Sequence, residues 1–462
     1  MTANPELSLT VGEIAKITGG IIRTGGDLPI TRIVTDSKDV KRGDLFLALK
    51  GERTDGELYA DEAIAKGAVA LSRHIGDGRI TVADVKDALL RLGGAYRLRL
   101  PNLRSVIAVT GSVGKTTTKE FLAAVLAKKY RVFATEKNHN NKIGVPMTVL
   151  AAPSDTEILI LETGMNHRGE IAPLSDAVRP DMALITNIGT AHIGNLGSRE
   201  MIAEAKKEIL VGMRGGPVLV PAEEPLLATL PHRVTVSSAD PDADFFLLPT
   251  ETNAGGSRAD FYHGSRTLRG LFLPMPGKHL LNALAFALSA AMLLRLSDSE
   301  IYDGISSITK DKVRQSCYKV GNLTIFDDAY NASPESMLAA IGTLDVFSFS
   351  KKSALIGDML ELGAKTEESH RALGEALVRH GFSDLYLFGV YAPFTAAGAR
   401  ALGKGRVRIF ENTDPLAPEI TAKEILAHGS EDEILLVKGS RGIRLERIIE
   451  VMKEITEGKT DA

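Results

Sequence analysis

Two apolar rhythms alternate along most of this chain. Short runs that are apolar on both faces, such as SVIAVTG at 105–111, EILILETG, DMALITNIG and GPVLVP, are bounded by Gly, Asp or Pro. Such runs read as strands buried on both sides. Between them, apolar residues recur three and four positions apart. After the first run, Phe121, Leu122, Val125 and Leu126 share one face of a predicted helix. The alternation resumes beyond residue 313 with LTIFDDA, SALIGDM, DLYLFGV, RVRIF and EILLVKGS, with helices predicted from Pro334 and Thr366. Continuous apolar strands alternating with helices predict parallel sheets covered on both faces, an α/β fold.

Residues 1–83 have a finer grain. Short β-like runs (ITRIVTDS, DLFLALKG, AVALSRH) are separated by Gly, Asp and Lys turns, with a helix, ADEAIAKGA, between two of them. The helical stretch VADVKDALLRLGGAYRLRL then leads into a second unit, residues 84–312, and a third unit spans 313–462. The longest apolar stretch, LLNALAFALSAAMLL from Leu280 to Leu294, is too short to span a bilayer and contains Asn282 and Ser289. It is expected to be a buried helix.

Composition sharpens this picture in a few places. At roughly 150 residues per domain, 462 residues fit three domains. Lys plus Arg is 55 and Asp plus Glu is 58, a net charge of −3, which argues against a basic nucleic-acid binder. The one cysteine, Cys317, excludes a disulfide scaffold and a cysteine zinc site, and is expected to be a packing residue in a reducing cytoplasm. No secretory signal is read at the N-terminus, and no membrane insertion is expected.

The first candidate chemistry is VTGSVGKTTTKE, which joins a buried strand, a Gly-rich turn and a helix start. Gly111 and Gly114 allow the backbone of Ser112 and Val113 to turn its N–H groups towards phosphate. The helix N-terminus at Thr116 and Thr117 adds partial positive charge. Lys115 neutralises terminal phosphates, and the Thr116 hydroxyl can bind Mg²⁺. The longer loop pattern would place a Gly where Val109 stands, so this is the short GxxGKT form. Alone it fits a kinase, a GTPase or a ligase.

Glu162 ends the run EILILE, at the carboxyl end of a predicted parallel strand, where open α/β sheets bind ligands. It can hold Mg²⁺ or serve as a capping or surface acid. His192, in TNIGTAHIG, reads as a metal ligand, a phosphate contact or a structural histidine. Lys206, between Glu204 and Glu208, reads by itself as a solvated helix residue holding i,i+4 pairs.

The motifs TGSVGKTTTKE, NHNNKIGVPMTVL, ETGMNHRGEIA, TNIGTAHIG, FDDAYNASPESM, IGDMLELG and LVKGSRGIRLE, in this order, resemble those of the Mur ligases, which build the peptide stem of bacterial cell-wall precursors. The resemblance runs from Thr35 to Arg447. It implies a UDP-binding domain at 1–83, a central P-loop ATP-binding domain at 84–312 and a Rossmann-like domain at 313–462. DDAYNASP with GDMLELG and KGSRG resembles the family member that adds D-alanyl-D-alanine to UDP-N-acetylmuramoyl-tripeptide. The Asn-Pro-Arg signature of the sister that adds the third stem residue is not found.

Residue by residue, the resemblance implies that Thr116 and Glu162 bind a first Mg²⁺. Glu162, His192 and a carbamylated Lys206 would bind a second, the carbamate supplying the carboxylate that a hard cation prefers. Asn282 matches an adenine contact, Arg314 a phosphate contact and Asp328 a ribose contact, with Tyr330 and Asn331 in the same loop. Asp36, Ser37, Asp55 and Gly56 match the UDP-binding domain, and Asn140 and Asn141 an Asn pair near the sugar-peptide. The implied reaction uses ATP to make an acyl phosphate that an amine converts to an amide, in a cytoplasmic monomer acting on small molecules. The alternatives are the sister ligase, a P-loop kinase or NTPase of another family, and a non-catalytic nucleotide-binding homologue.

Three positions depart from the family pattern. Glu57 stands where a His usually follows Asp-Gly. His279 and Asn282 are three apart where four is commoner. PAEEP, from Pro221 to Pro225, replaces an Asn-Ala-Asp-Asp-like segment.

Overall fold

The structure, a computed structural model, describes all residues except 7, 52–53, 311–314, 404–405, 411–413, 415 and 459–462. Arg314 therefore lies outside the described residues.

The middle of the chain builds a nine-stranded sheet around the strand Ser105–Thr110. Ile158–Glu162 pairs parallel on one side, with Glu162 opposite Val109, and Met182–Ile185 pairs parallel on the other, with Ile185 opposite Thr110. Every residue of these three strands is buried, as expected for runs covered on both faces. The register brings three carboxyl ends to one edge, where the loops carrying Gly111, Glu162 and His192 begin. The helix Lys115–Leu126 and the buried helix Lys278–Leu293 cover one face, packing Phe121, Leu122 and Val125 with Leu284 and Leu288 in one cluster.

The sheet is not parallel throughout. Phe245–Asn253 runs parallel to its inner neighbour, then the chain doubles back through Gly256–His263 and Arg266–Leu273 in antiparallel pairs. The sequence carries the signs, namely two-residue turns at Ala254-Gly255 and Gly264-Ser265 and a period-two burial of Phe245, Leu247, Ala259 and Phe261. A half-buried outer strand alternates instead of running apolar, so this part lacks the signal that marks the rest of the sheet.

The last part forms a six-stranded sheet with Glu433–Lys438 between Leu323–Asp327 and Lys351–Gly357, all parallel. An antiparallel edge strand, Ser316–Val320, flanks it. Cys317 lies on that edge and is exposed, not the packing residue expected, because its strand has a neighbour on one side only. The first part is a five-stranded sheet of short strands with the helix Ala60–Ala65.

A single apolar cluster joins Ala108, Ile185 and Ile202 of the central part to Met337, Ile341 and Ile356 of the C-terminal part. This shared core turns the strand ends of the two sheets towards one cavity.

Candidate active site

That cavity, of about 620 Å³, is lined from the central part by residues 112–118, Asn140, Glu162, His192, Lys206 and Asn282. From the C-terminal part it takes Asp328, Tyr330, Asn331, Glu361 and Lys438. The predicted phosphate, metal and adenosine residues other than Arg314 thus converge, with Gly111 directly behind the loop.

The loop needs its glycines. Gly111 has φ 151°, and a Cβ there would overlap the Thr186 hydroxyl, while Gly114 has φ 82°. The Ser112 and Val113 N–H groups both donate to Asn187 Oδ1, at 2.9 and 3.0 Å. Asn187 was not singled out from the sequence, although it sits in the same TNIG segment as the approach to His192. Lys115 Nζ donates to the loop's own carbonyls, Gly111 O at 2.7 Å and Ser112 O at 3.3 Å.

Glu162 is no surface acid. It is 1% exposed and accepts from Thr116 Oγ1 at 2.8 Å and from Asn140 Nδ2 at 2.9 Å. Its strand-end position and the helix start of the phosphate loop force this meeting. His192 has a left-handed backbone (φ 64°), and its Nδ1 meets the Glu361 carboxylate from the C-terminal part. Burial pushes the His192 pKa below its ordinary value, the Glu361 charge opposes this, and nearby Lys115 adds to it.

The expectation of a solvated Lys206 is overturned. Lys206 is 2% exposed, and it is its neighbour Lys207 that pairs with Glu204, at 2.8 Å. Glu208 instead accepts from the N–H groups of Gly169, Ile171 and Ala172. The helix Arg199–Lys207 is amphipathic with Ile202, Ala203 and Ala205 inward, and its phase carries Lys206 inward with them. Burial first, and then the Lys115 charge, hold the Lys206 amine far below the usual lysine range. A neutral, nucleophilic amine is the form that reacts with CO₂.

On the other wall, Asp328 accepts from Lys438 Nζ at 2.6 Å and Gln315 Nε2 at 3.3 Å. Lys438 also donates to Asn331 O at 2.9 Å. Lys438 lies in the quoted motif LVKGSRG, but only the structure shows its role. Asn282 Oδ1 accepts from Ser238 Oγ at 2.7 Å. His279, one turn before it, is half-buried, with its inaccessible Nδ1 unpartnered among the described residues, and desolvation lowers its pKa.

The structure does not bring the other predicted residues into the cavity. Asn141 Oδ1 accepts from the N–H groups of Ile143 and Gly144, starting the helix Gly144–Leu150. Asp36 Oδ1 accepts from the Lys38 N–H at 2.9 Å, and Ser37 O accepts from Lys66 Nζ at 3.1 Å. Asp55 pairs with Arg73 at 2.6 Å, and that hydrogen bond lowers its pKa. Gly56 N–H donates to Leu49 O at 2.8 Å. Glu57, the departure from the family pattern, turns inward onto Ser72 Oγ (2.7 Å) and the Arg73 N–H (2.6 Å). In PAEEP, Glu224 pairs with Arg199 at 2.7 Å.

The chain matches the description "Mur ligase family, catalytic domain" over residues 29–109, "Mur ligase middle domain" over 109–291 and "Mur ligase, glutamate ligase domain" over 314–441. It is 36% identical to a UDP-N-acetylmuramoyl-tripeptide--D-alanyl-D-alanine ligase of Bacillus subtilis, across 91% of this chain and 93% of that one. The chain belongs to the Mur ligase family. An Escherichia coli ligase of the same name is 31% identical across 97% and 99% of the two chains. Among solved structures, MurF of Acinetobacter baumannii superposes with a TM-score of 0.87 at 30% identity, covering 97% of this chain and all of that one. MurF of Thermotoga maritima in complex with ADP gives 0.80 at 31%, covering 93% and 98%. A diaminopimelate-adding Mur ligase shares the fold, with a TM-score of 0.56 at 16% identity.

Proposed function

We propose that this Mur ligase uses ATP to join D-alanyl-D-alanine to UDP-N-acetylmuramoyl-tripeptide, giving the UDP-pentapeptide precursor of the cell wall. The observation that carries the reading is the convergence of the phosphate loop with Asp328 and Lys438 on one cavity, in a chain similar to the dipeptide-adding ligases along nearly its whole length.

A carboxylate is a poor acyl donor because its leaving group would be oxide. Transfer of the γ-phosphoryl group of ATP to the carboxylate oxygen breaks the bond to ADP and gives an acyl phosphate. The dipeptide amine then attacks the carbonyl carbon, loses a proton, and phosphate leaves as the amide forms. The protein's task is alignment and electrostatic stabilisation. With the Ser112 and Val113 N–H groups taken by Asn187 Oδ1, contrary to the expectation that they face phosphate, the N–H groups at the start of the helix and Lys115 bind the phosphates, Asn282 faces the base and Asp328 accepts from the ribose hydroxyls.

Among the described residues, no three His, Cys, Asp or Glu side chains cluster as a metal site. Glu162 and Thr116 fit one hard cation as an oxygen pair. A second site with Glu162 and His192 requires one more carboxylate, and the buried Lys206, its amine held far below the usual lysine range, fits its carbamylated form. Bound Mg²⁺ would neutralise phosphate charge there. No described helix is long and apolar enough to cross a membrane, and we place the reaction in the cytoplasm, where ATP is supplied.

The test is phosphate release by purified protein with ATP, Mg²⁺ and UDP-N-acetylmuramoyl-tripeptide. Release that requires D-alanyl-D-alanine supports the reading. Release with diaminopimelate or lysine and the UDP-dipeptide would move the enzyme one step back along the stem.

A further inference from the structure

We propose that Glu361 and Arg441 read the two ends of the incoming dipeptide, Glu361 taking the ammonium and Arg441 the carboxylate. This rests on the reading above and adds the residues that select the second substrate.

The two side chains stand on loops that follow adjacent strands, Lys351–Gly357 and Glu433–Lys438, with Ile356 opposite Lys438. Ser440 staples the loops together. Its N–H donates to Asp358 O at 3.0 Å, and its hydroxyl accepts from the Leu360 N–H at 2.9 Å. Leu360 lies over Gly442, where an added Cβ would meet its Cδ1 at 3.0 Å. Glu361 follows Leu360 and Arg441 precedes the Gly442 beneath it, and both line the cavity.

Glu361 is held in place twice more. Its backbone is left-handed (φ 63°), a conformation that non-glycine residues adopt mainly where the surroundings impose it, and its carbonyl accepts from the Gly194 N–H of the central part at 2.8 Å.

Charge accounting singles out this pair. Glu162, Asp328 and Glu361 are the carboxylates lining the cavity among the described residues. Thr116 and Asn140 occupy Glu162, and Lys438 neutralises Asp328. Among the described residues, Glu361 pairs with His192 and with no lysine or arginine. Of the cations lining the cavity among the described residues, Lys115 bonds the phosphate loop's own carbonyls, Lys438 bonds Asp328, and Lys206 is buried. Arg441 is left, stacked 5.7 Å over the Tyr330 ring and touching Glu446 at 3.2 Å. A guanidinium has five N–H donors, so donors remain for a second carboxylate.

The polarity also fits. Glu361 abuts His192 beside the phosphate loop, so an ammonium held there lies near the acyl phosphate. Arg441 also borders an outer hollow with Arg444 and Arg447, so it stands towards the mouth. A two-residue zwitterion spans about 7 Å between its ends, with Leu360 between them to receive its methyl groups.

The experiment compares D-alanyl-D-alanine with its C-terminal amide as substrates of the full chain, with ATP, Mg²⁺ and UDP-tripeptide saturating. Wild type should prefer the acid by about ten- to hundredfold in kcat/KM, the usual worth of a charged hydrogen bond. Arg441→Ala should bring that ratio close to one, with the KM for ATP unchanged. Glu361→Gln keeps an acceptor for the His192 Nδ1–H and should raise the dipeptide KM by about ten- to hundredfold. An unchanged acid-to-amide ratio in R441A, or a raised KM for the UDP-tripeptide instead of the dipeptide in E361Q, would overturn the assignment. A wild-type chain that ignores the dipeptide altogether would overturn the functional reading and this one with it.

Discussion

Replacing Lys438 by Met should destabilise the C-terminal domain far more than removing the whole ion pair. Lys438 and Asp328 are 2% and 8% exposed, and their charged atoms lie 2.6 Å apart. At an effective dielectric of about 20 their attraction is about 6 kcal/mol, largely offset by the desolvation of both ions. Among the described residues, Lys438→Met leaves the buried Asp328 carboxylate only Gln315 at 3.3 Å, and the Asn331 carbonyl loses its donor. Stranding one buried charge costs about 3–5 kcal/mol. For a domain of about 150 residues that lowers the melting temperature by about 6–20 °C. In Asp328→Asn/Lys438→Met no charge is stranded, so the double variant should recover more than half of the loss. Scanning calorimetry of the full chain, followed through the transition of this domain, measures both. The reasoning fails if the double variant is as unstable as the sum of the two single ones. It also fails if Lys438→Met melts within about 2 °C of wild type.

Gly111→Ala forces a Cβ into the Thr186 hydroxyl at φ 151°, and should weaken ATP binding by about tenfold or more in titration calorimetry; unchanged affinity would refute the close approach. Burial raises the Asp358 pKa to about 6, against N–H bonds from Tyr391 and Val390 that lower it. The folded state therefore binds more protons than the unfolded one between pH 4 and 6, and stability falls as pH rises through that window, by about 2–3 kcal/mol. Asp358→Asn should flatten this slope in denaturant titrations at successive pH values. If Lys206 is carbamylated as proposed, ¹³C-bicarbonate should give a carbamate carbon signal in wild type that is absent in Lys206→Ala, and that variant should lose about a hundredfold or more in kcat.

Much of the site was legible in the sequence because it hangs on strand ends. A buried apolar run followed by Gly-x-x-Gly-Lys-Thr leaves little freedom, and Glu162 ends the neighbouring run. Their convergence follows from a parallel register, which the continuous apolar pattern already implies. What escaped were contacts between segments far apart in the chain. Asn187 holds the phosphate loop from 75 residues away. Lys438 reaches Asp328 across 110 residues, and Glu361 reaches His192 across 169. No local pattern encodes such pairs. Lys206 shows the opposite failure. Local spacing offered two glutamates as partners, yet the phase of Ile202, Ala203 and Ala205 turns the amine inward. The strands Gly256–His263 and Arg266–Leu273 were missed because a half-buried meander alternates instead of running apolar. Glu57 was visible as a departure from the family pattern, but its inward turn onto Ser72 and the Arg73 N–H depends on the fold around it.

The central claim is that one cavity carries out ATP-driven joining of a dipeptide to a UDP-linked tripeptide. The most direct measurement follows ADP, phosphate and the mass of the UDP-linked product in a single reaction. The account predicts ADP and phosphate in equal amounts, matched by a product heavier than the tripeptide precursor by one D-alanyl-D-alanine less one water, with no AMP. Phosphate release without that mass gain, or AMP in place of ADP, would contradict it.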